Sequence, residues 1–136
     1  MTQIVITKEF EDELSVLDST QPDVVDAADE LIENLYENKD LLDRLHKPQV
    51  HHFETPVFEV KGFVAAQQLG YNIYTLKFKD LEGFQTDHRI FLGFHAQKDI
   101  FYVLAITPRS YCYDTKHTAF SDLVARYQQC SIPTYT

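Results

Sequence analysis

Apolar positions along this chain recur first at helical and then at strand spacing. Gln3 to Thr7 is rich in β-branched residues and predicts a short strand. Thr7 is placed to cap a helix whose apolar face is Phe10, Leu14 and Leu17, ending near Asp18. Ser19-Thr20-Gln21-Pro22-Asp23 is a second start signal, with Thr20 as the cap and Pro22 in the first turn. Val24, Ala28, Leu31 and Leu35 continue it at helical spacing to Asn38, and Leu41, Leu42 and Leu45 predict a further turn or two.

From Lys47 to Gly70 the pattern weakens. Val50 to Pro56 reads as a loop, Val57 to Val60 as a short apolar stretch, and Phe63 to Leu69 as a helical turn or two stopped by Gly70. Alternation then returns. Tyr71 to Lys79 sets Tyr74, Leu76 and Phe78 against Thr75, Lys77 and Lys79. His88 to His95 sets Ile90, Leu92 and Phe94 against Arg89, Phe91, Gly93 and His95, and Ile100 to Thr107 is nearly continuous apolar sequence, as a strand buried on both sides requires. The connections Asp80–Gly83 and Ala96–Asp99 are short, which predicts an antiparallel meander ended by Pro108. Phe120, Leu123, Val124 and Tyr127 stripe a final helix, with a loose tail after it.

Strands in one block with helices beside them predict an α+β fold. The expectation is an antiparallel sheet of about four strands, two N-terminal helices packed on one face and a C-terminal helix, in one domain over residues 1–136. The second sheet face is left to carry polar residues. Phe10, Leu14, Leu31, Leu35, Leu76, Phe78, Ile90, Leu92, Leu104 and Leu123 are the expected core.

Charge sharpens this division. Residues 1–46 hold 13 acids against 3 bases, and residues 47–136 hold 8 against 9, so the net −9 belongs to the helical third. Such a chain is a poor general binder of nucleic acid, but a local basic site on the second part is open to it. The acid run Asp26 to Glu37 reads foremost as a solvated helix face. No apolar run approaches membrane-spanning length, and Met1 to Ile4 lacks the pattern of a secretory signal. Cys112 and Cys130 are too few for a disulfide framework and are expected as reduced thiols in a cytoplasm. His51 and His52 are adjacent and point apart on any regular element; with no CxxC motif, no metal and no other cofactor is expected.

The candidate chemistry lies on the strands. Alternation puts Lys77, Lys79 and Arg89 on the face away from the predicted core, and Arg109 just past the last strand. Four cations there would grip phosphate, arginine through its planar fork of donors. Pairing of Arg89 with Asp87 or Asp99, and Lys77 and Lys79 as ordinary solvent-facing residues, are the structural alternatives.

Four stretches together resemble the RelE/ParE superfamily of toxin–antitoxin toxins over nearly the whole chain. Ile4 to Phe10 with Leu14 and Leu17 is similar to the family's opening strand and first helix, and the amphipathic run from Pro22 to Leu45 to its second helix. Tyr71 to Lys79 followed by His88 to Phe94 resembles the strand pair that bears the family's lysines and first arginine. Phe101 to Arg109, then Ala119 to Val124, resembles the last core strand, second arginine and C-terminal helix.

In the RelE branch the resemblance implies cleavage of messenger RNA in the ribosomal A site, with a cognate antitoxin protein, the ribosome and mRNA as partners and no membrane. Carried over, Lys77 and Lys79 match the strand lysines, Arg89 the first arginine and Arg109 the second. Metal-free cleavage needs a base for the 2′-OH proton, positive charge on the phosphate and an acid for the leaving oxygen. Phe120 stands where the family often has a tyrosine, and Tyr111, Tyr113 and His117 are the nearby groups that could carry a proton. The alternative implications are a ParE-like toxin that inhibits gyrase without catalysis, or an inactive relative acting as a binding protein. An exposed apolar groove for the antitoxin is expected beside the Tyr111–Tyr113 loop and last helix, or beside the first helices.

Overall fold

The computed structural model describes residues 2–46, 49–52 and 56–135. The chain runs β1 (Gln3–Ile6), α1 (Lys8–Asp18), α2 (Pro22–Glu37), α3 (Lys39–Asp43), β2 (Gln49–His52), β3 (Val57–Gly62), α4 (Val64–Gln68), β4 (Ile73–Lys79), β5 (Gln85–His95), β6 (Ile100–Pro108) and α5 (Thr118–Gln129). The fold is α+β. Its sheet has six strands in the order β1-β6-β5-β4-β3-β2, where about four were expected. Two of them come from the segment with weak periodicity: β2 and β3 pair antiparallel over Gln49–His52 and Val57–Val60, so the expected loop is strand as far as His52. Of the rest of that expected loop, Phe53 to Thr55 lies outside the described residues and Pro56 belongs to no regular element.

The sheet is mixed, not antiparallel. Short turns force β4, β5 and β6 to run antiparallel. No turn constrains β1, whose partner lies at the far end of the chain, and it joins β6 in parallel. Thr7 caps α1 as expected, its hydroxyl accepting the Phe10 N–H at 3.3 Å. Thr20 does not cap α2: its hydroxyl donates back to Leu17 O, and α2 starts after Gln21 with Pro22 in its first turn. Asn38 both ends α2 and caps α3, accepting the Leu41 N–H at 3.1 Å.

Both sheet faces are covered, which corrects the expectation of one polar face. One face packs Leu76, Phe78, Ile90, Leu92, Phe101 and Val103 against Phe10, Leu14, Leu31 and Leu35 of α1 and α2. The other packs Ile73, Phe91, Leu104 and Ala105 against Leu123 and Tyr127 of α5, Phe63 and Ala66 near α4, and Cys112. Every expected core residue is buried, but they divide between these two cores. Gly93 allows the close approach of α5: a Cβ there would stand 2.8 Å from Ile132 Cδ1 and 3.1 Å from Tyr127 Cδ2.

The chain end is docked, not loose. Tyr127 donates its hydroxyl to Pro133 O at 2.6 Å and accepts the Asn72 N–H at 3.0 Å. Tyr135 accepts the Ala96 N–H at 3.0 Å, and its own N–H donates to Gly70 O.

β1 pairs only with Ile100–Val103, which leaves the second half of β6 without a strand on that side. Two side chains take over. Glu13 of α1 accepts the Ile106 N–H at 3.2 Å, and Arg126 of α5 donates to Leu104 O at 3.0 Å. The two pair with each other at 2.8 Å and 3.3 Å, so an ion pair closes the open edge.

Candidate phosphate-binding site

β5 carries extra residues opposite β4. Lys77 pairs with Arg89, but Lys79 pairs with Gln85, so the ladder shifts register around residues 86–88. A bulge of this kind leaves carbonyls without ladder partners. Arg89 fills that role: its Nη1 donates to Thr86 O at 3.2 Å and His88 O at 3.0 Å. Thr86 Oγ1 lies 3.0 Å from Phe78 O and 3.2 Å from His88 O, and its single proton serves one of them at a time.

Two cross-strand rows define this end of the face that α5 covers. Glu59, Lys77, Arg89 and Thr107 are successive partners across β3 to β6. Lys61, Thr75, Phe91 and Ala105 form the next row. Arg89 is only 4% exposed, yet its Nε has no hydrogen-bond partner; nor has the Thr75 hydroxyl, which is fully buried. Unmet polar atoms in such positions are uncommon and costly.

The loop after β6 lies over these rows. The Tyr113 ring packs edge-on against Phe63 at 5.6 Å and Phe91 at 6.2 Å, with Lys61 Nζ 5.5 Å from its centre. Burial raises the Tyr113 phenol above its ordinary value, and Cys112 adds to this; Arg89 and Thr75 pull it down. The hydroxyl is thus close enough to feel both, although Arg89 Nε and Thr75 Oγ1 close no hydrogen bond. Burial likewise raises the Cys112 thiol, opposed by the charges of Arg89, Lys61 and Arg109.

The five candidates therefore part company. Lys77 and Arg89 are brought side by side, and Arg89 and Arg109 both act on Cys112. Arg109 is exposed, with its N–H donating to Asp87 O at 2.7 Å. Lys79 is exposed beyond the bulge. Tyr111 stacks on His117 with ring centres 4.1 Å apart, and His117 Nδ1 accepts the Ala119 N–H to cap α5. Both line a small cavity of about 190 Å³ with Asp122 and Arg126, while Tyr113 is the tyrosine set over Arg89. Phe120 is half-buried and packs edge-on against Phe63 at 5.7 Å.

Lys61 and Thr75 were not candidates on sequence. Alternation from Lys77 reaches Thr75, but Lys61 enters the site only through β3, whose pattern is short. No group of side chains suited to holding a metal ion occurs among the described residues, nor does a helix long and apolar enough to cross a membrane. No protein-family model, no curated protein and no solved structure matches this chain.

Proposed function

We propose that this protein is a toxin of the RelE/ParE kind, acting in the cytoplasm as a ribosome-dependent endonuclease that cuts messenger RNA without a metal. The observation that carries this reading is the Lys77–Arg89 pair, with Lys61 and Arg109 in reach and two buried polar atoms, Arg89 Nε and Thr75 Oγ1, left unmet beside it.

In this reading the RNA 2′-OH attacks phosphorus, the P–O5′ bond breaks, and a 2′,3′-cyclic phosphate and a free 5′-OH result. Arg89 and Arg109 stabilise the added charge on the phosphate oxygens. Lys77, the cross-strand partner of Arg89, is the group assigned to the 2′-OH proton. Tyr113 takes the acid role offered to Tyr111, because its hydroxyl lies beside Arg89 and Thr75 while Tyr111 is stacked on His117.

One observation favours a second reading, a binding protein without catalysis such as a gyrase-inhibiting toxin: Arg89 spends Nη1 on its own bulge. An antitoxin suits either. The groove between α1 and α2, about 370 Å³, has Phe10, Leu14, Ile32 and Tyr36 along it and Glu11, Asp29, Glu33 and Glu37 beside them. Its seat would suit an apolar segment with basic flanks.

The deciding experiment is induced expression with mapping of mRNA 5′ ends. New 5′ ends with arrested translation are expected, and Arg109→Ala should slow cleavage about 100- to 1000-fold with the fold intact. Intact mRNA with DNA damage selects the second reading; toxicity unchanged in folded Arg89→Ala and Arg109→Ala proteins ends the first.

A further inference from the structure

Arg89 is assigned to a phosphate, yet only 4% of it is exposed. Its Nη1 is spent on the bulge, and its Nε is closed off from solvent with no partner. Thr75 Oγ1, in the neighbouring cross-strand row, is closed off in the same way. A ligand reaches neither atom while the molecule keeps this arrangement.

The cover is Tyr113. Lys61, Thr75 and Phe91 are successive partners across β3, β4 and β5. The Tyr113 ring packs on Phe91 at 6.2 Å at one end of that row, with Lys61 Nζ 5.5 Å from its centre at the other. It therefore spans Thr75, and its hydroxyl feels both Thr75 and Arg89. The rest of the loop is anchored around it. The Arg109 N–H donates to Asp87 O at 2.7 Å, Cys112 is buried in the core, and His117 caps α5. Tyr113 is itself 39% exposed, and Asp114 to Lys116 after it are exposed as well. Its ring thus has solvent on one side and the unmet polar atoms on the other.

We propose that the Tyr113 ring is a gate: closed, it seals Arg89 and Thr75 from solvent, and swung outward about its own side-chain bonds it admits a phosphate group to Arg89. Only what the gate admits rests on the endonuclease reading. The contacts that hold the ring, two aromatic edges and one cation over the face, are each weak. The closed state carries the cost of two buried polar atoms without partners, and opening relieves it by letting water or an anion reach them. A rotamer change in a partly exposed side chain leaves the anchored backbone in place. The swing also leaves the hydroxyl at the rim of the opened site, where the acid role keeps it.

The test is hydrogen exchange at the Arg89 Nε–H, followed by NMR on the full chain without RNA, with exposed Arg109 as the internal reference. In the native protein the Arg89 Nε–H should exchange at least about 100-fold more slowly than that of Arg109. Tyr113→Ala should speed it by about tenfold or more, while the backbone N–H groups of Ile90 and Leu92 keep their native rates, which separates a lost cover from a loosened fold. Tyr113→Phe keeps the ring and should stay within about threefold of native. Lys61→Met, a change at an exposed position that removes only the cation from the ring face, should speed exchange by about two- to fivefold and serves as the test should Tyr113→Ala not fold. The proposal is overturned if Arg89 exchanges as fast as Arg109 in the native protein. It is overturned equally if Tyr113→Ala leaves the rate unchanged or if Tyr113→Phe opens the site as far as Tyr113→Ala does; Lys61→Met at the native rate overturns it where Tyr113→Ala does not fold. Exchange that follows the variants while mRNA stays intact on expression supports the gate and ends the endonuclease reading; cleaved mRNA with Arg89 exchanging freely ends the gate alone.

Discussion

The two faces of the sheet are built differently. Beneath α1 and α2 lies a large, continuous apolar core, with acids on the outer side of the helices. Beneath α5 the apolar core is smaller and gives way at one end to Thr75, Arg89 and Thr107, all buried. The first face holds the fold together through shape and transfer from water. The second holds part of its structure through polar bonds to the backbone, and where those bonds run out it leaves Arg89 Nε and Thr75 Oγ1 unmet. Chemistry belongs where local rules of core building are broken without compensation.

The largest effect should come from the first face. Leu35 is fully buried between α2 and the sheet. Leu35→Ala should lower unfolding free energy by about 2–5 kcal/mol in a urea titration. A loss under 1 kcal/mol would mean that this core is not the main source of stability.

On the second face the expected losses are smaller and come from closeness. In Gly93→Ala the new methyl meets Ile132, Leu104 and Tyr127. The cost should be about 1–3 kcal/mol, with a change in the near-ultraviolet signal of the tyrosines. Tyr127→Phe deprives the Asn72 N–H and Pro133 O of their partner, which should cost about 1–3 kcal/mol and free the chain end to faster hydrogen exchange at Tyr135.

The contrast between the faces also explains which parts were legible beforehand. Long periodic segments, α1, α2 and β4, reveal themselves by spacing alone, since one buried face imposes one period. The β2–β3 hairpin does not, because two short strands contribute too few residues to show alternation. The direction of β1 depends on a partner at the other end of the chain, and no local pattern encodes it. In the site, Lys77 beside Arg89 follows from alternation. The bulge at residues 86–88 does not, and it is what separates Lys79 from Arg89 and occupies Nη1. That Tyr113 lies beside Arg89 while Tyr111 stacks on His117, whose ring caps α5, is a matter of loop geometry that spacing does not encode.

Acidity should separate the faces further. His88 is held below its ordinary pKa of 6.5, chiefly by burial, with Asp87 raising and Arg89 lowering it. The unfolded chain then binds the proton more readily than the folded one. The contribution of His88 is fully present above about pH 6.5 and is lost as pH falls below that value, with a slope of at most about 1.4 kcal/mol per pH unit. Urea titrations between pH 7.5 and 5 should show this loss. His88→Gln should flatten the curve there, and a curve unchanged by the substitution would place the titrating group elsewhere.

The smallest expected effect is on the outer side of the first face. Asp29 is exposed, and its pKa is raised by partial burial and by Asp26, Asp18 and Glu33. Here the sign is reversed: the folded chain binds the proton more readily, so ionisation above the ordinary carboxylate range opposes folding. Asp29→Asn removes that repulsion and should raise stability near pH 7 by about 0.2–0.5 kcal/mol, the scale of one like-charge pair on a helix. The gain should shrink in 0.5 M salt, where exposed charges are screened, and vanish below about pH 3.8, where the carboxyl is protonated in the folded and the unfolded chain alike. If Asp29→Asn instead lowers stability at neutral pH, the carboxylate has a favourable partner on α2, and the acids of this face are not simply repelling one another.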